Sequence, residues 1–421
     1  MKKAVVAVIL SLIFISDAFS LSLRNSDEVH PFDSIPMLES YYDESDDGSM
    51  SFWDGCEISL LTIGSGDPLY SWFGHSAFLV STPDGRNVTF DYGTFSFNDE
   101  DFFVNFAFGR LWFLCLSSNA EYQLQDISEE GRSVTKVVLP LTAEQKKAVI
   151  GFLNANSRKE NRTYLYHHYE DNCATRLRDI IDWTTGGAFK TWAQSVSGLT
   201  FRQQASRALS RNPFVLWGLD FLQSGNIDKS ATLWDEMFLP EVLEKGVMAY
   251  FSLEKETILN GSGNYSETSD KPQSNILFSL LMGLVLGGVS LALILPGYRR
   301  ANYIYSGVVE IVFGLLGSVL FFMMFFTNHD VTWCNENLIF VNPLLLVLAV
   351  FSFMATCKKK ADKWGRVVSI SHKMIFGIIV LLVILKLIAH NIFFQQNWSV
   401  ILTMALFHLP NAISRIIKKE K

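Results

Sequence analysis

The sequence predicts an α+β extracytoplasmic domain followed by an all-α bundle of about five transmembrane helices. Three observations lead there. The 421-residue chain is 49% hydrophobic and only 18% charged, too apolar for an ordinary soluble protein. The apolar excess is segregated, because residues 21–274 are mixed and polar whereas 275–415 are dominated by long apolar runs. The polar half alternates short strand-like segments with helices marked by capping residues. Composition also excludes functions. With 35 Lys and Arg against 42 Asp and Glu, a net charge of -7 leaves no basic excess to neutralise nucleic-acid phosphates. Five cysteines without a C-x-x-C pair supply neither a disulfide framework nor a structural zinc site.

Residues 1–20 read as a signal peptide: Lys2 and Lys3, the apolar VVAVILSLIFI, then Ala18 and Ser20 where signal peptidase needs small residues. Residues 21–50 are an acidic, Ser-rich and poorly ordered lead-in. The domain expected over 51–253 opens with two strands, ISLLTIG (58–64) and HSAFLVS (75–81). The turn PDGRN at 83–87 then folds VTFDYGTF back as a hairpin. Asn98 caps a short helix that stops at Gly109, ahead of a strand RLWFLCLS. Thr142 and Gln145 form a capping box. Asp171 and Asn172 are candidate caps for a helix that begins at Cys173 and puts Cys173, Leu177, Ile180 and Ile181 on one face.

A turn-rich linker is expected over 254–274. The membrane domain over 275–415 then carries runs at 276–296, 303–326, 338–356, 374–394 and 398–415, and 416–421 is a basic tail. The basic segments at Arg299–Arg300, Lys358–Arg366 and the tail alternate with the loops near His329 and Gln396. The positive-inside bias makes the basic face cytoplasmic and the first domain extracytoplasmic, in agreement with the signal peptide. Glu310 and Lys386, inside spanning runs, are expected to face the bundle interior or a partner.

A cysteine in the first turn of a helix sits at the positive end of the macrodipole, which favours the thiolate nucleophile. Such a nucleophile needs a histidine to accept and return a proton. His75, after Gly74 at the start of a strand, is the candidate. Asp91 or Tyr92 on the returning hairpin strand can orient the imidazole; residue 91 shares the sheet face of residue 75 in only one register. Asp171 competes for that role, with helix capping as its plainer reading. By pattern alone, a buried Cys173 acting as a small hydrophobe stays open.

Several ordered motifs carry a resemblance. ISLLTIGSGDPLYSWFGHSAFLV, FDYGTFSF, EGRSV near 130 and YHHYEDNCATRLRDII resemble successive motifs of the Lnb N-terminal periplasmic domain family. FFTNHDVTWCNENLIFVNPLLLVLA resembles the extracytoplasmic loop and third span of its membrane-anchored members, so the likeness runs from about residue 56 to 415. It implies a lipoprotein N-acyltransferase of the bacterial inner membrane with its catalytic domain on the periplasmic side. The acyl donor is a membrane phospholipid and the acceptor the α-amino group of a diacylated lipoprotein's first cysteine; no cofactor is implied. The histidine-first order also resembles a circularly permuted papain-like fold, with the histidine on a strand and the cysteine opening a helix. The resemblance makes Cys173 and His75 the expected catalytic residues, with Asp91 as the third member on the hairpin reading above and backbone N–H groups around Cys173 and Ala174 expected to hold the oxyanion. Tyr70, Trp72, Tyr92, Arg176, His329 and Asn337 are the candidate substrate-binding residues. Ile63 and Trp72 depart from the family pattern, and Trp72 can reshape the acyl pocket.

Blander readings stand beside these. Arg176, Arg178 and Asp179 can bind a phosphate or form a salt-bridge cluster. His329, Asp330, Asn335, Asn337 and Asn342 line a lipid entrance or cap helix ends. His167 and His168, with no further ligands at zinc-like spacing, read as packed or solvated rather than metal-binding. Cys56 and Cys115 are buried thiols or a disulfide. Competing functions are a cysteine amidohydrolase acting on cell-wall peptide, which has no need of spanning helices, and a non-catalytic membrane receptor or assembly factor.

Overall fold

The structure is a computed structural model that describes residues 50–96, 101–263, 268–295, 297–357 and 361–413. The signal peptide, the lead-in before Met50, Asn98 and the basic tail lie outside the described residues. Of the described residues, 50–211 together with 229–272 form one compact unit, and 212–228 with 273–413 form another.

The first unit is built on a seven-stranded antiparallel sheet: β1 Glu57–Ile63, β2 His75–Ser81, β3 Asn87–Thr94, β4 Trp112–Asn119, β5 Val134–Val138, β6 Thr163–Leu165 and β7 Glu256–Leu259, in the order β6-β4-β3-β2-β1-β5-β7. The β2–β3 hairpin forms as its turn chemistry requires: Gly85 sits at φ +86 in the expected turn, and the register pairs Ser81 with Asn87 and Ala77 with Asp91. Alternation then puts His75, Ala77, Leu79 and Asp91 on one face. Leu61, Ile63, Leu79 and Val134 form a buried cluster there with Ala120 and Ile127 of the Ala120–Glu129 helix. The helix Cys173–Thr184 packs against β2 and β3.

Two sequence expectations are corrected in this region. The linker expected at 254–274 contributes β7, whose ladder to β5 gives a polar, turn-flanked segment its hydrogen bonds. The catalytic domain expected to run unbroken over 51–253 is interrupted, because Pro213–Leu222 packs Trp217, Phe221 and Leu222 into the core of the other unit.

That second unit is helical. Ile276–Leu293, Arg299–Phe326, Glu336–Met354 and Ala361–Ile388 are long and apolar enough to cross a membrane. Of the five expected spans, the last forms Trp398–Ile413, 16 residues or about 24 Å in its described part, short of a hydrocarbon layer of about 30 Å. The fourth starts at Ala361 rather than 374, because Lys, Arg and Ala are good helix formers and extend the helix beyond its apolar stretch. Glu310 and Lys386, the ionisable residues expected inside spans, are both paired. Glu310 accepts from Ser352 Oγ at 2.7 Å and lies 3.0 Å from His372 Nε2, while Lys386 meets Glu336 at 2.5 Å and the Gln395 carbonyl at 2.6 Å. Pairing of this kind is what makes buried charge tolerable.

Candidate active site

The site starts from a helix cap. The Asn172 side chain accepts from the Ala174 and Thr175 N–H groups, both at 2.9 Å, while the Thr175 hydroxyl accepts from the Asn172 N–H at 2.7 Å. This reciprocal box fixes Cys173 as the first helical residue. The Asn172 amide also donates to the carbonyls of His168 and Phe238, at 2.5 and 2.9 Å, tying the preceding turn to the start of the helix. Leu177, Ile180 and Ile181 are fully buried on the helix face expected to carry Cys173, which itself is 8% exposed.

His75 arrives from β2. Gly74 turns the chain into this strand at φ +76, and a Cβ there would lie 2.9 Å from the Ile63 carbonyl, so the tight approach requires glycine. Asp91 is the diagonal neighbour of His75 on the same face, and its Oδ1 lies 2.6 Å from His75 Nε2. The other Asp91 oxygen accepts from Gln123 Nε2 at 2.8 Å. With Nε2 given to Asp91, Nδ1 is the ring nitrogen left for the Cys173 sulfur, with which the imidazole also interacts. Burial pushes the His75 imidazole down, but the charges of Asp91 and Cys173 and hydrogen bonds to both outweigh it and hold the ring well above its usual 6.5. The carboxylate, imidazole and sulfur therefore form one chain in which the imidazolium is favoured.

Gly93 closes the site. It sits at φ +100 in a β-bulge between Tyr92 and Thr94. A Cβ at this position would lie 3.8 Å from His75 Cε1, 3.9 Å from Cys173 Cβ and 3.9 Å from the Tyr164 hydroxyl. Three groups from three elements thus converge on a point that carries no side chain.

The other sequence candidates are placed elsewhere. Tyr92 points to the sheet face opposite Asp91 and donates to Asn156 Oδ1 at 2.7 Å, so it is a core residue and not an orienter of His75. Asp171 is engaged by the Arg176 guanidinium, which makes two hydrogen bonds to the carboxylate and lies 4.5 Å over the Tyr164 ring. Arg176 is thereby used internally rather than left open to a phosphate. Arg178 bonds Asp179 and the Trp234 carbonyl. Trp72 donates to the Asp67 carbonyl and carries Arg211 on its ring, while Tyr70 is 51% exposed with its ring edge against Phe95. His329 and Asn337 belong to the helical unit and are fully buried. Asn337 caps the Pro213–Leu222 helix by donating to the Asp220 and Phe221 carbonyls, both at 2.9 Å, so a lipid entrance gives way to helix capping. His168 packs among Phe73, Tyr169 and Phe238, and burial with neighbouring His167 pushes it down to about 3. Cys56 and Cys115 are both free buried thiols, and burial pushes Cys115 up to about 12.

Sequence reasoning missed Gln123, Gly93 and Tyr164. A glutamine on a polar helix and a tyrosine in an aromatic run carry no local signal. The glycine in FDYGTF is an interior-strand glycine, which is the sequence mark of a bulge.

No curated protein and no solved structure shows significant similarity to the chain. Residues 52–208 match the Lnb N-terminal periplasmic domain, and residues 271–421 match the Lnb transmembrane domain. The two matches fall in the order, and over the regions, in which the α+β unit and the helical unit are found. The chain therefore belongs to the Lnb family, as a membrane protein with an N-terminal periplasmic domain and a C-terminal transmembrane domain.

Proposed function

We propose that the protein is an apolipoprotein N-acyltransferase of the bacterial inner membrane. It moves an acyl chain from a membrane phospholipid, through a Cys173 thioester, to the α-amino group of a lipoprotein's N-terminal diacylglyceryl-cysteine. The observation that carries this reading is the Asp91–His75–Cys173 chain, with the imidazolium favoured, in a periplasmic domain that the same polypeptide joins to membrane-spanning helices.

The chemistry follows from the roles these groups can play. The Cys173 sulfur attacks an ester carbonyl, and His75 protonates the departing glycerol oxygen, leaving a thioester and a lysophospholipid. The lipoprotein amine then attacks the thioester, with His75 taking its proton, and the amide forms as the thiol is released. Asp91, steadied by Gln123, holds the imidazole in one orientation and stabilises its charge through both halves. Water must be kept out while the thioester exists, since hydrolysis would turn the cycle into a phospholipase.

The test is mass spectrometry of lipoprotein N-termini in cells that depend on this protein, comparing wild type with Cys173→Ser at equal abundance. Loss of triacylated N-termini with accumulation of diacylated ones is expected. An unchanged acylation pattern would overturn the proposal.

A further inference from the structure

Acyl transfer through a tetrahedral intermediate needs hydrogen-bond donors for the oxyanion, and the helix start offers fewer than its sequence suggests. The Ala174 and Thr175 N–H groups are both spent on Asn172 Oδ1. Only the Cys173 N–H remains without a partner among the described residues. A second donor has to come from outside the helix.

Tyr164 fits that need. It lies on β6, an edge strand paired with β4, and is 8% exposed. Its hydroxyl is buried with no hydrogen-bond partner among the described residues, whereas Tyr92, whose ring centroid is 5.9 Å away, has its own hydroxyl satisfied by Asn156. Leaving a buried hydroxyl unmet is costly, so its retention calls for a reason. The hydroxyl faces the point beside Gly93 on which His75 Cε1 and Cys173 Cβ also converge. Arg176, locked by Asp171, covers the ring face and fixes its orientation.

We propose that the Tyr164 hydroxyl is the second oxyanion donor, a catalytic residue that acts together with the Cys173 N–H. As the sulfur–carbon bond forms, the carbonyl π pair moves onto oxygen, and the phenol donates to that oxygen without giving up its proton. When the carbonyl re-forms, the carbon–oxygen bond to the leaving group breaks and His75 supplies the alkoxide's proton. Burial, with a smaller contribution from Asp171, holds the phenol well above its usual 10, against the opposing pull of Arg176. It stays protonated at neutral pH, so its O–H is available to donate.

The inference rests on the thiol acyl-transfer reading, so its test separates the two. Full-length protein in detergent is acylated by a p-nitrophenyl acyl ester, and the nitrophenolate burst is followed alongside alkylation of Cys173 by iodoacetamide. Alkylation displaces iodide at a saturated carbon and makes no oxyanion. Tyr164→Phe should slow the burst on the order of 10²-fold and leave the alkylation rate within about twofold of wild type. An undiminished burst, or equal loss of both rates, overturns the assignment of Tyr164. If no burst occurs even in wild type while alkylation is normal, the acyl-transfer reading itself fails. Should Tyr164→Phe not fold, 3-fluorotyrosine at position 164, a stronger donor of nearly the same shape, should speed the burst a few-fold; an unchanged or slower burst counts against the proposal.

Discussion

At the scale of single residues, the site depends on a charge relation rather than on an isolated thiol. His75 is held well above its usual 6.5 because Asp91 and Cys173 outweigh the burial that pushes it down. A raised folded-state value means that this pairing stabilises the fold in full below pH 6.5, while Asp91 is ionised, and loses its effect as pH rises through the raised value. Asp91→Asn should therefore bring the His75 titration, followed by NMR, back toward 6.5. The stability gap to wild type should be widest on the acid side of neutral and close at alkaline pH. The proposed acyl transfer should fall on the order of 10²- to 10⁴-fold, since the imidazole loses both its orientation and its counter-charge. A gap that widens with rising pH would show that Asp91 is not the group raising His75. Gly93 makes a different kind of contribution. A Cβ there meets its neighbours only at ordinary contact distance, so the objection to a side chain is the backbone at φ +100. Gly93→Ala should cost about 1–3 kcal/mol in denaturant unfolding, with activity lost through a shifted bulge; unchanged stability would mean that the bulge relaxes freely.

At the scale of elements, the cap of the Cys173–Thr184 helix does two jobs. Asn172 ends the extended approach and also bonds two carbonyls of neighbouring segments. Asn172→Ala should lower stability by about 2–4 kcal/mol, a cap plus two carbonyls left without their donor. Asn172→Asp keeps the acceptor for Ala174 and Thr175 but turns a carboxylate toward those carbonyls, so calorimetry should place it between alanine and wild type. Equal melting temperatures for all three would remove the cap from the account. This helix start was legible in the sequence, because capping is local chemistry: an Asx residue, a first turn and an apolar stripe. The strands carrying His75 and Asp91 were legible for the same reason, as alternation around a glycine turn. The short strands β5 and β7 were not, since four or five residues hold too little alternation to stand out and their pairing is set by distant partners. The place of Tyr164 was hidden, because only the ladder of β6 to β4 brings its extended segment to the site.

At the scale of the whole molecule, the boundary between the two units is not a boundary in the sequence. Residues 212–228 lie within the periplasmic stretch of chain, yet they belong to the helical unit. Pro213–Leu222 is apolar but only 10 residues long, too short to be recognised as a span and easily taken for a core helix of a soluble domain. Its burial is specific. Trp217 lies 6.2 Å edge-on to Phe313, its indole N–H donates to Thr403 at 3.3 Å, and the helix's terminal carbonyls are taken by Asn335, Asn337 and the Gln395 amide. A fragment spanning 50–272 keeps every strand of the sheet but strips these partners away, so Trp217, Phe221 and Leu222 meet water. Burying three such side chains is worth about 5–9 kcal/mol, enough to drive association of the exposed surfaces. The native fragment should therefore aggregate or demand detergent. A fragment in which those three residues are replaced by Ser or Gln should be monodisperse in size-exclusion chromatography and keep the wild-type alkylation rate at Cys173, because all three pack into the core of the helical unit. If the unmodified fragment is soluble and monomeric, the helix finds adequate burial within the periplasmic unit alone. If the modified fragment is soluble but its Cys173 is no longer alkylated at the wild-type rate, the sheet and the Cys173–Thr184 helix depend on the helical unit to hold their geometry.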